Sequence, residues 1–390
     1  MTNEPLDELD ADLGLDDYEL LAPPPRSYDG WHLPRKQFIR HSQWSEPLRD
    51  ILDARSDPLA PISYLGLPGA DLLDLRHLHE RLCEPTGRRL RFVGFDRAAR
   101  PQESDNAILN TAFADMIRKP LVEDESRLFG DDLHLLLDEA SVAFREVRRR
   151  APFDVINLDF CEPVVGADLS SISCVYPLLK RLFSLQRTNN PWLLLLTSRV
   201  KEEAFASSTL VSLLKVLEIN RQRCDGFEAL LPELLAGGRP LAEQDARSME
   251  EGEFFRLVAL LLGLWLISAA EDAHCKVSLV SAAGYAVYGG GGMDMLSLSI
   301  KVEPDYGLAA DGVGRADRAK QECQQAKRMA PRISRPDSID DYLAANIEWA
   351  HRATREAVAL MESANHPLGP YLDWLVAKGI DITHVRAGSV

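Results

Sequence analysis

The stretch from Pro61 to Asp96 reads PISYLGLPGADLLDLRHLHERLCEPTGRRLRFVGFD. Ile62 to Leu65 form a short apolar run, and Gly66-Leu67-Pro68-Gly69 make a tight turn. A leucine-rich amphipathic segment follows until Pro85 and Gly87 stop it, and a second apolar run ends at Asp96. The pattern is a strand, a glycine turn, a helix and a second strand closed by an acid. Gly66, Leu67 and Gly69 bring backbone close to a ligand, the helix N-terminus offers unpaired N–H groups, and Asp96 can accept from a ribose hydroxyl. The unit suits an adenosine-containing ligand. An ordinary βαβ unit whose glycines only make the turn satisfies the same pattern.

The chain beyond Asp96 extends this alternation. A helix is expected from about Asp105 to Arg118, then a short strand in SRLFGDDL, Ser126 to Leu133. The next helix runs from about Asp132 to Arg150, with either acid able to cap it and Asp131 within reach of a base or sugar. FDVINLDFCEP, Phe153 to Pro163, reads as a buried strand with Asp159, Phe160 and Cys161 at its C-terminal end, the edge where open α/β sheets bind ligands. PWLLLLTSRV lacks alternation altogether, as a central strand covered by helices on both faces does. Three helices are expected over 200–271, then two strands joined by the run Gly289 to Gly292, which must be antiparallel. The fold class is therefore α/β: a doubly wound, mostly parallel seven-stranded sheet with an antiparallel C-terminal strand pair, plus helical additions.

The expected organisation is an acidic tail over 1–30, a basic and aromatic helical segment over 31–60, a Rossmann-type domain over 61–305 with the helical insertion 200–271, and a helical C-terminal region over 306–390. In the second segment, WHLPRKQFIRHSQW, the cations Arg35, Lys36, Arg40 and His41 are interleaved with Trp31, Phe38 and Trp44. Arg35, Lys36, Gln37 and Arg40 are candidates for substrate or phosphate contact. Aromatics packed on the core with solvated charges are the plainer account.

At 390 residues the chain can bury a large core, and its net charge of −16 is uneven. Residues 1–29 hold nine acids and one arginine, half of the total. That balance repels phosphate, so it gives no support to a nucleic-acid partner, although a local basic groove stays compatible with it. The acidic tail and the C-terminal helices are the expected contacts for a protein partner. Six scattered cysteines without a CxxC give no zinc or disulfide pattern, which reads as reduced thiols in a cytoplasmic protein. No metal site is expected from the histidines. The apolar run Phe254 to Ala270 is interrupted by Arg256 and flanked by acids, so a buried core helix is expected rather than a membrane span.

The order of elements resembles that of class I S-adenosylmethionine-dependent methyltransferases, whose parallel sheet carries one reversed strand near the C-terminus. The resemblance covers about residues 60–305. YLGLPG is similar to the family's glycine motif, FVGFD with Asp96 to the acidic end of its second strand, and FGDD with Asp131 to its adenine-side acid. NLDFCEP occupies its catalytic loop. The departures are equally specific: Tyr64 stands where the family has an acid, Pro68 where it has a glycine, and the loop lacks the usual proline pair.

The resemblance implies S-adenosylmethionine as cofactor, held by Gly66, Leu67, Gly69, Asp96 and Asp131. It implies methyl transfer to a polar group of nucleic acid, nucleotide or protein. Asp159 would hold an acceptor hydrogen, Phe160 stack on a planar base, and Cys161 stand where some relatives carry a nucleophile. A second reading is a methyltransferase-like scaffold without chemistry, serving in a complex of a nucleic-acid or defence pathway.

Overall fold

A computed structural model describes residues 27–160, 162–164, 175–234, 240–288, 292–305 and 314–386. The acidic tail up to residue 26, Cys161 and three glycines of the 289–292 run lie outside these residues.

The sheet is built as the apolar pattern requires. Strand β1 (Ile62–Gly66) pairs in parallel with β2 (Leu90–Phe95) on one side and β4 (Val155–Asp159) on the other. β3 (Arg127–Phe129) extends the β2 edge, and β5 (Trp192–Arg199) follows β4. Then β7 (Met295–Pro304) runs antiparallel between β5 and β6 (Cys275–Tyr285). The order is β3-β2-β1-β4-β5-β7-β6-β8, a class I methyltransferase-like sheet. It has one strand more than expected, because the two-residue β8 (Asp337–Ser338) joins the outer edge of β6.

Helices cover both faces, which is why β4 and β5 show no alternation: Ile156, Leu158, Leu194 and Leu196 join one core, and Val155, Leu193 and Leu195 the other. The 22-residue helix Glu251–Asp272 is long and apolar enough to cross a membrane, but 83% of its most apolar window is buried inside the protein. It is the central helix of the larger core.

Three local expectations change. The single helix expected from Asp132 to Arg150 is a short 3-10 turn, Leu133–Leu137, followed by a helix at Val142–Arg150. Asp132 caps the turn through the His134 N–H, and Ser141 caps the helix through the Phe144 N–H. In β6, period-two alternation would set Tyr285 on the same face as Val277 and Leu279. A bulge between Leu279 and Ser281 shifts the register, so Tyr285 faces the opposite core. Finally, Cys224 and Cys323, 99 residues apart, form a disulfide with Cα atoms 5.3 Å apart. This corrects the all-reduced reading. The pairing follows from the packing of the insertion against the C-terminal helices, which sequence spacing does not disclose. Cys83 and Cys275 are free and buried.

Gly66 is needed for packing. Side by side with Gly94 and Asn157 in the register, it leaves a Cβ 2.5 Å from both the Asn157 carbonyl oxygen and the Tyr64 hydroxyl. Gly69 differs: its φ is +69° and a Cβ would meet open space. Gly66→Ala should lower stability by about 1–3 kcal/mol or more, since backbone cannot yield, whereas Gly69→Ala should cost only about 1–2 kcal/mol of left-handed strain. Urea denaturation of both variants checks the ranking.

Candidate functional site

The chain reverses direction across the sheet at β1, and a cavity of about 400 Å3 opens above the C-terminal ends of β1, β2 and β4. Its floor is the turn Leu67 to Asp71, its sides are Asp96, Ser104, Asp105 and Asp159, and its cover is Ser27, Asp29, Trp31, His32, Arg40 and His366. This is where an open α/β sheet holds a ligand. The N-terminal segment and a residue from the C-terminal region thus close a hollow that the sheet alone would leave open.

Trp31 and His32 lie in a 3-10 turn, Gly30–His32, which leads into a helix at Pro34–Ile39, a wider π-turn at Arg40–Ser45 that carries Arg40, and a helix at Glu46–Asp53. This segment is buried rather than a solvated basic patch. Gln37 Nε2 meets His77 Nδ1 at 3.0 Å, and Gln43 accepts from Ser297 and Ser299 on the polar face of β7. Arg35 pairs with Asp340 at 2.7 Å. Two cations turn inward. Arg40 Nε donates to Asp74 Oδ1 at 2.8 Å, and Arg40 Nη1 donates to the Trp31 carbonyl at 3.2 Å. Lys36 Nζ donates to Asp159 Oδ1 at 2.6 Å, lies 3.4 Å from the Tyr285 hydroxyl and sits 4.7 Å above the Trp44 ring. Burial opposes the Lys36 charge, but Asp159, together with Tyr285 and Asp74, outweighs burial and raises the ammonium pKa above its usual range.

The acids differ in setting. Asp96 caps the following turn by accepting from the Ala98 N–H at 2.8 Å, and burial raises its pKa, with Asp105 adding to the effect. Asp71 lies between His366 Nε2 at 3.0 Å and His32 Nε2 at 3.7 Å. Burial would raise its pKa, but the two imidazoles outweigh burial and hold it well below the usual carboxylate range. Asp74 is buried, which raises its pKa against the Arg40 charge. Below it, Asn157 Nδ2 donates to the Tyr64 hydroxyl at 3.2 Å and to Asp74 Oδ2 at 3.3 Å. Tyr64 is therefore a support under the turn and does not line the cavity.

A second, small hollow of about 20 Å3 adjoins the first through Trp31 and Asp159, and Phe160, Tyr285, Val287, Tyr288 and Met295 complete its wall.

Of the residues singled out from sequence, Leu67, Gly69, Asp96, Arg40 and Asp159 line the large cavity, and Lys36 and Phe160 line the small one. Gly66, Asp131, Arg35 and Gln37 line neither, and Cys161 lies outside the described residues. Asp105 stands in the wall instead of Asp131. Asp71, Asp74, His32, His366 and Tyr285 were not anticipated. Asp71 and Asp74 carried a signal, following Gly69 at helical spacing, whereas His366 and Tyr285 arrive from distant segments. Away from the cavity, His351, Asp381 and His384 place ligand-type atoms within 4.8 Å of one another. The two imidazoles stack at 3.9 Å and 19°, so their in-plane lone pairs run alongside rather than converge on an ion.

Lys36→Met removes the partner of Asp159 from a buried pair and should cost about 3–5 kcal/mol, more than Lys36→Met combined with Asp159→Asn. Chemical denaturation of both proteins tests the order.

A family model described as PP_RS20740-like matches residues 25–376. No curated protein matches the chain. Among solved structures, an O-methyltransferase family protein from Burkholderia thailandensis is 12% identical, over 77% of this chain and 70% of that one, with a TM-score of 0.30. Trm1 from Pyrococcus horikoshii, solved with S-adenosyl-L-methionine, is 13% identical over 77% of this chain and 58% of its own, with a TM-score of 0.36. A probable spermidine synthase from Corynebacterium glutamicum is 11% identical over 81% and 83%, with a TM-score of 0.36. The family model spans nearly the whole described chain, and on that match, with the strand order seen above, the protein belongs to the PP_RS20740-like family and has a class I methyltransferase-like fold.

Proposed function

We propose that this chain binds S-adenosylmethionine in the large cavity and transfers its methyl group to a polar group of nucleic acid, nucleotide or protein. One observation carries the reading. Among the described residues lining the cavity stand six carboxylates, Asp29, Asp71, Asp74, Asp96, Asp105 and Asp159, against one guanidinium, Arg40. Such a wall attracts a sulfonium and repels a pyrophosphate, which separates this ligand from nicotinamide dinucleotides and nucleoside triphosphates. The volume, about 400 Å3, suits an adenosine with a short tail.

The bound cofactor supplies an electrophilic methyl carbon, and the chain's own task is positioning. One Asp159 oxygen is taken by Lys36. Asp159 lines both hollows, and its other oxygen is the acceptor for the N–H or O–H of a substrate. Held over the Gly69 turn and Asp96, the cofactor would supply its methyl group to the acceptor lone pair, with S-adenosylhomocysteine as the product that leaves. The acceptor proton passes to Asp159 or water. Phe160 and Tyr285 offer aromatic walls to a flat acceptor.

A specific observation favours a second reading, a binding protein without transfer. The acceptor-side hollow is only about 20 Å3, room for little more than a water molecule. On that reading the C-terminal helices and the acidic tail would serve a protein partner.

Calorimetry should show heat with S-adenosylmethionine and S-adenosylhomocysteine and none with NAD, and Asp96→Ala should weaken binding by roughly tenfold. Absence of heat with every adenosine ligand would leave only the scaffold. Incubation with methyl-labelled cofactor and DNA, RNA or copurifying protein should label one acceptor class. Label that persists undiminished in Asp159→Ala removes that carboxylate from the mechanism.

A further inference from the structure

The cavity contains a residue set suited to a zwitterion, and it comes from elements other than the first strand. Tyr64, where an acid is expected, is fully buried beneath the turn and bonded to Asn157, so β1 offers the cavity no carboxylate at that point. Arg40 is 4% exposed and lines the cavity. Its guanidinium is fixed at two nitrogens, Nε by Asp74 and Nη1 by the Trp31 carbonyl, while Nη2 has no hydrogen-bond partner among the described residues. Asp71 lines the same cavity, held anionic by His32 and His366. Arg40 Nη1 holds the Trp31 carbonyl, and the next residue, His32, has its Nε2 3.7 Å from Asp71, so guanidinium and carboxylate approach the same short segment of the cover.

We propose that Arg40 and Asp71 grip the amino-acid tail of the ligand, Arg40 Nη2 taking its carboxylate and Asp71 its ammonium, and that Arg40 makes the site select a cofactor that retains the carboxylate. The inference rests on the S-adenosylmethionine reading and deepens it. A guanidinium already oriented by two buried bonds loses little freedom when it takes a third acceptor, so the contact favours the carboxylate strongly. Without that group, Nη2 has only cavity water as a partner in an acidic wall.

The test is calorimetry of the full chain with three ligands: S-adenosylhomocysteine, S-adenosyl-3-thiopropylamine, which lacks only the carboxylate, and 5′-methylthioadenosine, which lacks the whole tail. Wild type should bind the first at least roughly tenfold tighter than the second, and the second tighter than the third. Arg40→Gln should erase the first difference and keep the second. Asp71→Asn should do the reverse. Equal wild-type affinity for S-adenosylhomocysteine and the thiopropylamine overturns the inference while leaving the adenosine reading standing. Silence from all three overturns both. The wild-type comparison needs no variant, so it decides the matter even if Arg40→Gln unfolds with Asp74 left unpaired.

Discussion

Two buried charge pairs, Arg40–Asp74 and Lys36–Asp159, hold an N-terminal helical segment across the strand tips. Each joins a cation that precedes the sheet in sequence to an acid at the end of a parallel strand (Asp159) or in the helix after one (Asp74). Isolated, any of these four groups would be costly to bury; paired and hydrogen-bonded, they become a positional constraint. The segment cannot shift without leaving an uncompensated charge among apolar neighbours. The cover of the cavity, the orientation of Arg40 and the occupation of one Asp159 oxygen all depend on this arrangement.

The same constraint explains how altered motif residues coexist with a formed cavity. Tyr64 supports the turn through Asn157, and Asn157 in turn reaches Asp74, so the substitution links the first strand to the buried pairs. Pro68 packs against the position of Gly94 on the neighbouring strand and still lines the cavity. The turn has exchanged an N–H donor for a fixed shape. Among the side chains that line the cavity above the turn, carboxylates outnumber cations.

Legibility in the sequence followed the range of the interactions. Period-two runs, turn residues and caps are local, so β1, β2, β4, β5 and the β6–β7 pair were readable from their own residues. Asp96 and Asp159 were readable because a strand end dictates where its last side chain goes. Asp131 was placed by its resemblance to the acid that follows the third strand in class I methyltransferases. The chain instead turns at Asp132, which bonds the His134 N–H, and Asp105, from the loop after β2, stands in the cavity wall. Tyr285 lies on the face opposite to the one that strict alternation with Val277 and Leu279 would give, because a single bulged residue inverts the pattern, a shift that composition cannot reveal.

By itself the sequence determined an α/β chain with a glycine turn at the first strand end, acids at successive strand ends, a reversed strand pair and a buried apolar helix, since each is set by neighbours a few residues away. The tertiary structure alone decided that Lys36 meets Asp159 across 123 positions, that His366 reaches Asp71, that Cys224 joins Cys323, and that the basic segment lies inside rather than on the surface. Those contacts join segments far apart in the chain: the charged pairs attract strongly only where packing brings them together out of water, and the disulfide forms only where packing brings two sulfurs within bonding reach.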